Sequence, residues 1–262
     1  MKIPKSLKKY FKSHTKTRVK QNIQRLRASF IGRDLNKLAQ IFKTDKYGIH
    51  FYTPNYQTHF KSIKNRKINL LEIGVGGYKN PLSGGNSLRM WKAYFSKANI
   101  FAIDIYDKQK HEENRITIFK GSQVDYSFLD TVFKNIGSLD IIIDDGSHIN
   151  EHVIKTFEYL FPKLNNGGIY VVEDTQTSYW PDYGGSSLDL NDKTKILPYF
   201  KALADGLNYQ EFLIPNYKAT VFDKTITSLH FYNNMIFIYK GDNNIKSNYL
   251  INNRKPNEGR KK

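Results

Sequence analysis

The sequence predicts an α/β protein built on a mostly parallel seven-stranded sheet that ends in an antiparallel hairpin. Three observations predict it. Apolar runs rich in Ile and Val recur between amphipathic stretches, a glycine turn directly follows the first of them, and the last two are joined by Asn233-Asn234. Strands that are apolar throughout and alternate with helices form parallel sheets covered on both faces. A two-residue Asn-rich connection favours a tight hairpin.

Taken in order, "KIPKSLKKYFKSHTKTRVKQNIQRLRAS" sets Ile3, Leu7, Tyr10 and Phe11 at roughly helical spacing among lysines. It reads as a basic helical arm, suited to an anionic surface or to solvent. A helical stretch and the aromatic segment "TDKYGIHFYTPNYQTHF" follow. "INLLEIGVGG" is a strand running into a glycine turn, and "SLRMWKAYF" a helix with Leu88, Trp91 and Phe95 on one side. "NIFAIDIYD" and "RITIFKG" are the next strands, then "YSFLDTVFKNI" a helix. "LDIIIDDGSH" is the fourth strand, "NEHVIKTFEYLFPKL" a helix stopped by "NNGG", and "GIYVVEDTQ" the fifth strand. "SLHFYNNMIFIYKG" is the closing hairpin. This arrangement points to the Rossmann-like fold in its class I methyltransferase version, whose ligands are expected beyond the carboxyl ends of the strands. The expected division is a basic helical arm over 1–40, the main domain over 41–250, and a basic disordered tail over 251–262.

Composition narrows the function. The 262 residues carry a net charge of +17, yet residues 1–30 hold ten Lys or Arg and no acid, and residues 251–262 hold five basic residues against Glu258. Those ends supply +10 and +4, leaving +3 on the remaining 220 residues, so the excess lies in the tails. Nucleic acid is therefore not the expected partner, and the arm suits peripheral contact with an anionic membrane or a solvated state alike. The absence of cysteine removes disulfides, thiolate metal sites and cysteine nucleophiles, and fits a cytoplasmic location. No apolar run is long enough to cross a bilayer.

"LEIGVGGYKN" brings Gly74 and Gly76 directly after the first strand, where missing Cβ atoms permit a sharp turn and close approach to a ligand. It is not the dinucleotide pattern, because Lys79 stands where the third glycine would be. Glu72 precedes the turn and suits a methionine-type amino group. Asp104 ends the second strand, placed for ribose hydroxyls, and Ser122 or Gln123 follows the third, placed for adenine. The cofactor read from this set is S-adenosylmethionine, with NAD(P) as the alternative.

The fourth and fifth strands end in "DDGSH" and "EDTQ", which crowds Asp144, Asp145, Glu173 and Asp174 on one rim. Close carboxylates repel, so some must be protonated, exposed or metal-bound. Hard oxygen donors without cysteine suit Mg²⁺, or alternatively Mn²⁺ or Ca²⁺. The plainer reading is that Asp144 or Asp145 caps the next helix and Glu173 pairs with a lysine. His148 lies three residues past Asp145, and an imidazole titrating near neutral pH suits removal of a hydroxyl proton. Asp144 is left open between cofactor contact, support for the site and helix cap. Tyr179, Trp180 and "YGGSS" read as an aromatic wall with a lid, or as a packed aromatic cluster.

"LEIGVGGY", "GGNSLRMWKAYF", "DDGSHINEH", "VVEDTQTSYWP" and "SLHFYNNMIFIYKG" resemble, segment by segment, the metal-dependent O-methyltransferases of macrolide deoxysugars and the related rhamnosyl O-methyltransferases. The resemblance runs from about Thr44 to Asp242. It implies Mg²⁺ on Asp145, Glu173 and Asp174, His148 as general base, and cofactor contacts from Thr44 and Tyr56. It also implies methyl transfer to a hydroxyl of a sugar, on a glycosylated natural product or a surface glycan. Some relatives carry a large extra N-terminal domain where this chain has a basic arm, which bears on the acceptor and on any homo-oligomer.

Three other functions compete. A nucleic-acid methyltransferase would use the basic arms, but "DDGSH" is not the Asn/Asp-Pro-Pro-aromatic motif of base-amine methylation. A catechol-type small-molecule O-methyltransferase shares the chemistry with a different acidic pattern. A non-catalytic cofactor-binding protein would have no use for four rim carboxylates and His148.

Overall fold

The computed structural model describes residue 19 and residues 21–256. Ile3, Leu7, Tyr10 and Phe11 of the arm, and the last six residues of the tail, lie outside the described residues. Seven strands form one sheet: β1 (Asn69–Ile73), β2 (Asn99–Asp104), β3 (Ile116–Lys120), β4 (Leu139–Asp144), β5 (Leu164–Glu173), β6 (Ile226–Tyr232) and β7 (Met235–Lys240). Their order is β3-β2-β1-β4-β5-β7-β6. The first five are parallel, β7 runs antiparallel to β5, and β6 antiparallel to β7. Tyr232 faces Met235 across the Asn233-Asn234 turn, where Asn234 takes a left-handed φ of 58°.

Among the described residues, helical residues 21–29 and seven further helices accompany the sheet: α1 (Leu35–Phe42), α2 (Thr53–Phe60), α3 (Asn86–Tyr94), α4 (Tyr126–Ile136), α5 (Asn150–Leu160), α6 (Ile196–Leu203) and α7 (Val221–Thr225). Strand side chains alternate between faces. Leu70, Ile100, Ile141, Ile143, Val171 and Phe237 pack against α1, α2 and α3; Leu71, Ile73, Ile142, Tyr170 and Val172 pack against α4, α5 and α6. Leu88, Trp91 and Phe95 are fully buried, as their spacing predicts. Each fully buried Ile of β4 contributes about 1.5–3 kcal/mol by leaving water, so the strand that carries the first acidic motif is firmly fixed.

Four sequence expectations change. The segment before residue 60 forms two short helices, because Asp34 caps α1 through the Lys37 amide and Lys43 ends it in a left-handed conformation. Leu35, Leu38, Ala39 and Phe42 belong to the core, so packing runs across the boundary expected at residue 40. The helix of "NEHVIKTFEYLFPKL" stops at Leu160; Pro162 sits in a single tight turn, and "NNGG" lies inside β5, beside an irregularity in its pairing with β4. The tail's first residues are structured: Ile251 and Arg254 pair, and Asn253 donates to the Tyr209 and Phe212 carbonyls.

Candidate active site

The carboxyl ends of β1, β2, β4 and β5 converge on one edge of the sheet. The Gly74 amide donates to the Ile103 carbonyl at 2.8 Å and the Asp145 amide to the Ile73 carbonyl at 3.0 Å, so the parallel ladders continue into the loops. Gly74 has φ of 95°, and a Cβ there would lie 2.0 Å from the Asp145 carbonyl oxygen. Only glycine lets the cofactor turn and the first acidic motif touch in this way.

Asp145, His148 and Asp174 come together at the rim. One ligand atom from each lies within 4.8 Å of the others, and all three are half-buried. His148 Nε2 is 3.6 Å from Asp174 Oδ2 and 3.9 Å from Asp145 Oδ1. Both His148 and Asp174 occupy the left-handed backbone region, with φ of 56° and 54°. Non-glycine residues pay strain there, and such strain gathers at functional sites. Asp174 also accepts from the Tyr52 hydroxyl at 2.5 Å and lies 3.7 Å from His50 Nδ1. Burial pushes its carboxyl upward, but the Tyr52 hydroxyl and the His148 and His50 rings outweigh it and hold it below the usual carboxylate range.

Glu173 is placed differently from the expected ligand set. It is buried beneath the rim, where Lys46 Nζ donates to both its oxygens at 2.7 Å and the Tyr56 hydroxyl to one. Lys46 also reaches Asp145 Oδ2 at 2.7 Å and lies 3.4 Å from Glu72 Oε1. Burial disfavours its ammonium, yet Asp145, Glu173 and Glu72 outweigh that, and Lys46 stays charged well beyond the ordinary range. The reading that pairs Glu173 with a lysine is thus realised, while neither Asp144 nor Asp145 caps α5, whose N-cap is Ile149.

The expected cofactor residues divide into two groups. Glu72 is fully buried at the turn, and its Oε2 accepts from Ser87 Oγ at 2.9 Å while Oε1 has no hydrogen-bond partner. Burial lifts its pKa to about 7, against the opposing pull of Lys46. Asp104 braces the glycine turn by accepting from the Val75 amide at 3.0 Å and the Tyr106 amide at 2.8 Å. Gly76 has φ of 77° and packs on Gly84. Thr44 accepts from the Lys46 amide at 3.0 Å, so it and Tyr56 support the buried ion cluster.

Gln123 ties the loop after β3 to the first acidic motif and to α5. It donates to Asp144 at 3.2 Å and to Thr156 at 3.1 Å, and accepts from the Ser147 amide at 2.9 Å. Ser122 accepts from the Val124 amide. Asp144, open in the sequence, is buried against Gln123 and the Tyr170 hydroxyl, and burial raises its pKa to about 7. It braces the loop rather than the rim. Tyr179 and Trp180 are partly exposed on a segment tied to α5, because Asn150 donates to the Thr177 and Tyr183 carbonyls at 2.9 Å.

Sequence reasoning missed Lys46, Tyr52 and His50. The signal was present as a charge imbalance: four crowded carboxylates require a compensating cation, and "TDKYGIHFY" supplies one from a segment read only as covering the cofactor.

The donor chemistry fits a hard divalent cation: two half-exposed carboxylates at one rim, with an imidazole beside them. Glu72 Oε1, which accepts no hydrogen bond though Lys46 Nζ lies 3.4 Å away, fits a ligand with an amino group at the turn. A parallel sheet in this order, with a glycine turn and an acidic rim at its carboxyl edge, defines a class I methyltransferase fold.

Comparison with known proteins makes the class specific. Mycinamicin VI 2''-O-methyltransferase of Micromonospora griseorubida is 44% identical over 212 residues, 80% of this chain and 53% of its own. The 8-demethyl-8-alpha-L-rhamnosyl tetracenomycin-C 2'-O-methyltransferase of Streptomyces olivaceus is 44% identical over 225 residues, 84% of this chain and 59% of its own. The structure of MycE methyltransferase from the mycinamycin biosynthetic pathway, in complex with Mg and SAH, superimposes with a TM-score of 0.79 at 43% identity. That match covers 81% of this chain and 55% of MycE. No family model matches the chain. The matched residues belong to the sugar O-methyltransferases of the macrolide and tetracenomycin pathways. The chain spans little more than half the length of these curated relatives.

Proposed function

We propose that the protein is an S-adenosylmethionine-dependent, Mg²⁺-dependent O-methyltransferase acting on a hydroxyl of a sugar, borne by a natural product or a glycan. The observation that carries the reading is the rim of Asp145, His148 and Asp174 beside the Gly74 turn. A MycE structure in complex with Mg, SAH and mycinamycin VI, 42% identical, supports it.

Asp145 and Asp174 would hold the metal, with Glu173 able to join from below only by loosening its contacts with Lys46. A divalent ion held there supplies charge that acidifies and orients a neighbouring sugar hydroxyl. His148 takes the hydroxyl proton at Nε2, and Asp145 and Asp174 stabilise the imidazolium that results. Glu72 receives the cofactor's amino group, beside a turn that Gly74 and Gly76 make by taking positive φ.

A cytoplasmic location belongs to the same reading; among the described residues no helix is long and apolar enough to cross a membrane. Helical residues 21–29 and their flanks expose Val19, Ile23, Leu26 and Phe30 at four-three-four spacing near Arg25 and Arg27. That stripe supports contact with an anionic membrane surface and equally suits a homo-oligomer. The test is methylation of a demethylated deoxysugar glycoside by the purified protein. Activity should vanish in EDTA and return with Mg²⁺; undiminished turnover in EDTA overturns the metal assignment.

A further inference from the structure

A cavity of about 730 Å³, lined by none of the rim residues, lies between helical residues 21–29, α3 and residues 113–115. Its charged lining is one-sided: Arg25, Arg33, Arg89, Lys92 and Arg115 face a single carboxylate, Glu113. Glu113 is already shared, by Arg25 and by Lys92 at 2.9 Å. The other three guanidiniums spend their hydrogen bonds mainly on neutral acceptors. Arg33 donates to the Lys64 carbonyl and Ser96, and Arg115 to the Lys92, Phe95 and Ala98 carbonyls. Arg89 donates to the Gly84 and Gly85 carbonyls and contacts His111. Neutral acceptors satisfy donors without cancelling charge, so the cavity keeps an uncompensated positive potential.

Arg89 is 7% exposed, and its Nε has no hydrogen-bond partner. A buried guanidinium N–H without a partner is costly, and no carboxylate neutralises this guanidinium, so Arg89 adds its uncompensated charge to the cavity wall. Burial already presses Arg89 and Arg115 below the ordinary arginine range, which is the strain an anion would relieve. Phe42, Ala28 and Ala93 form an apolar wall on the same cavity. Residues 1–30 carry no acid, so the chain's own N-terminal segment is not a charge match.

We infer that this cavity binds a small phosphate-bearing molecule with a compact apolar group, the phosphate against Arg89 and the apolar part against Phe42 and Ala93. Nothing in this inference depends on the methyltransferase reading.

Calorimetric titration of the full chain with phenyl phosphate, inorganic phosphate and phenol tests it, in EDTA and with saturating S-adenosylhomocysteine. Phenyl phosphate should bind saturably at one site, roughly 10-fold tighter than inorganic phosphate because the ring leaves water, while phenol should not bind. Arg89→Gln should weaken phenyl phosphate roughly 10-fold or more, as expected for loss of a charged hydrogen-bond donor. Glu113→Gln should tighten it about 3-fold or more by removing the one opposing charge. Should Arg89→Gln fail to fold by circular dichroism, Glu113→Gln decides alone. Absence of saturable binding overturns the inference. So does competition by S-adenosylhomocysteine, or wild-type affinity in Glu113→Gln.

Discussion

Lys46 Nζ lies 2.7 Å from Asp145 Oδ2 and 2.7 Å from both carboxylate oxygens of Glu173, so one ammonium joins the tips of β4 and β5. Its backbone is pinned in turn, since the Tyr52 and Thr53 amides both donate to the Lys46 carbonyl. The acidic rim therefore rests on an internal cation contributed by a segment outside the sheet.

Replacing Lys46 with Met strands the Glu173 charge in the interior. Breaking a buried pair by removing one partner costs about 3–5 kcal/mol, and the loss should appear as a lower urea midpoint with little change in slope. Pairing Lys46→Met with Glu173→Gln should recover much of it. A double variant no more stable than the single would show that the ammonium does not act through Glu173.

Mg²⁺ should stabilise the folded protein by mass action, about 2.7 kcal/mol at a hundredfold excess over its dissociation constant. Asp174→Asn should abolish that rise in melting temperature. His148→Ala should retain most of it while lowering kcat by about 10²–10⁴-fold, because a proton acceptor is lost and the carboxylates remain. Near wild-type turnover in His148→Ala would remove the base assignment.

Gly74→Ala places a methyl group against the Asp145 carbonyl, at a φ where side chains are strained. The turn or the acidic loop must move. A destabilisation of about 3 kcal/mol or more is expected, together with loss of S-adenosylhomocysteine binding by calorimetry. Ala at Gly48, where φ is likewise positive but a Cβ would meet nothing, should cost strain without touching binding.

His59 gives a pH dependence unrelated to catalysis. Its ring stacks on Phe237, with Nδ1 2.7 Å from the Tyr239 hydroxyl and Nε2 2.9 Å from that of Tyr232. Burial, helped by the nearby His230, lowers its pKa from 6.5 to about 4. Between those values the unfolded chain binds the extra proton, so stability rises with pH through this window and is lost as pH falls from 6.5 toward 4. His59→Phe should flatten the change in urea midpoint between pH 7 and 5; an unchanged slope would place the dependence elsewhere.

Much of the fold was legible because its signals are local. Ile141 to Ile143 announce a strand buried on both sides, Asn233-Asn234 announces the hairpin, and Gly74 announces the turn. The rim was legible in part, since Asp145, His148 and Asp174 follow strands whose order the alternating pattern implies. What escaped depends on contacts between distant segments. Lys46 meets Glu173 across 127 positions, and Tyr52 meets Asp174 across 122. The bonds of Gln123 to Asp144, Ser147 and Thr156 likewise join loops that the sequence keeps apart. "NNGG" looked like a helix stop, and irregular pairing absorbed it into β5.

The dependence of the rim on Lys46 also fixes how the gene could be trimmed. A fragment beginning at Asn69 would keep all seven strands, both acidic motifs and the glycine turn. It would still lack the ammonium beneath Asp145 and Glu173, the Tyr52 and Tyr56 hydroxyls, and the α1 and α2 side chains that cover one face of the sheet. The smallest piece able to carry the site therefore begins no later than Asp34, the residue that caps α1.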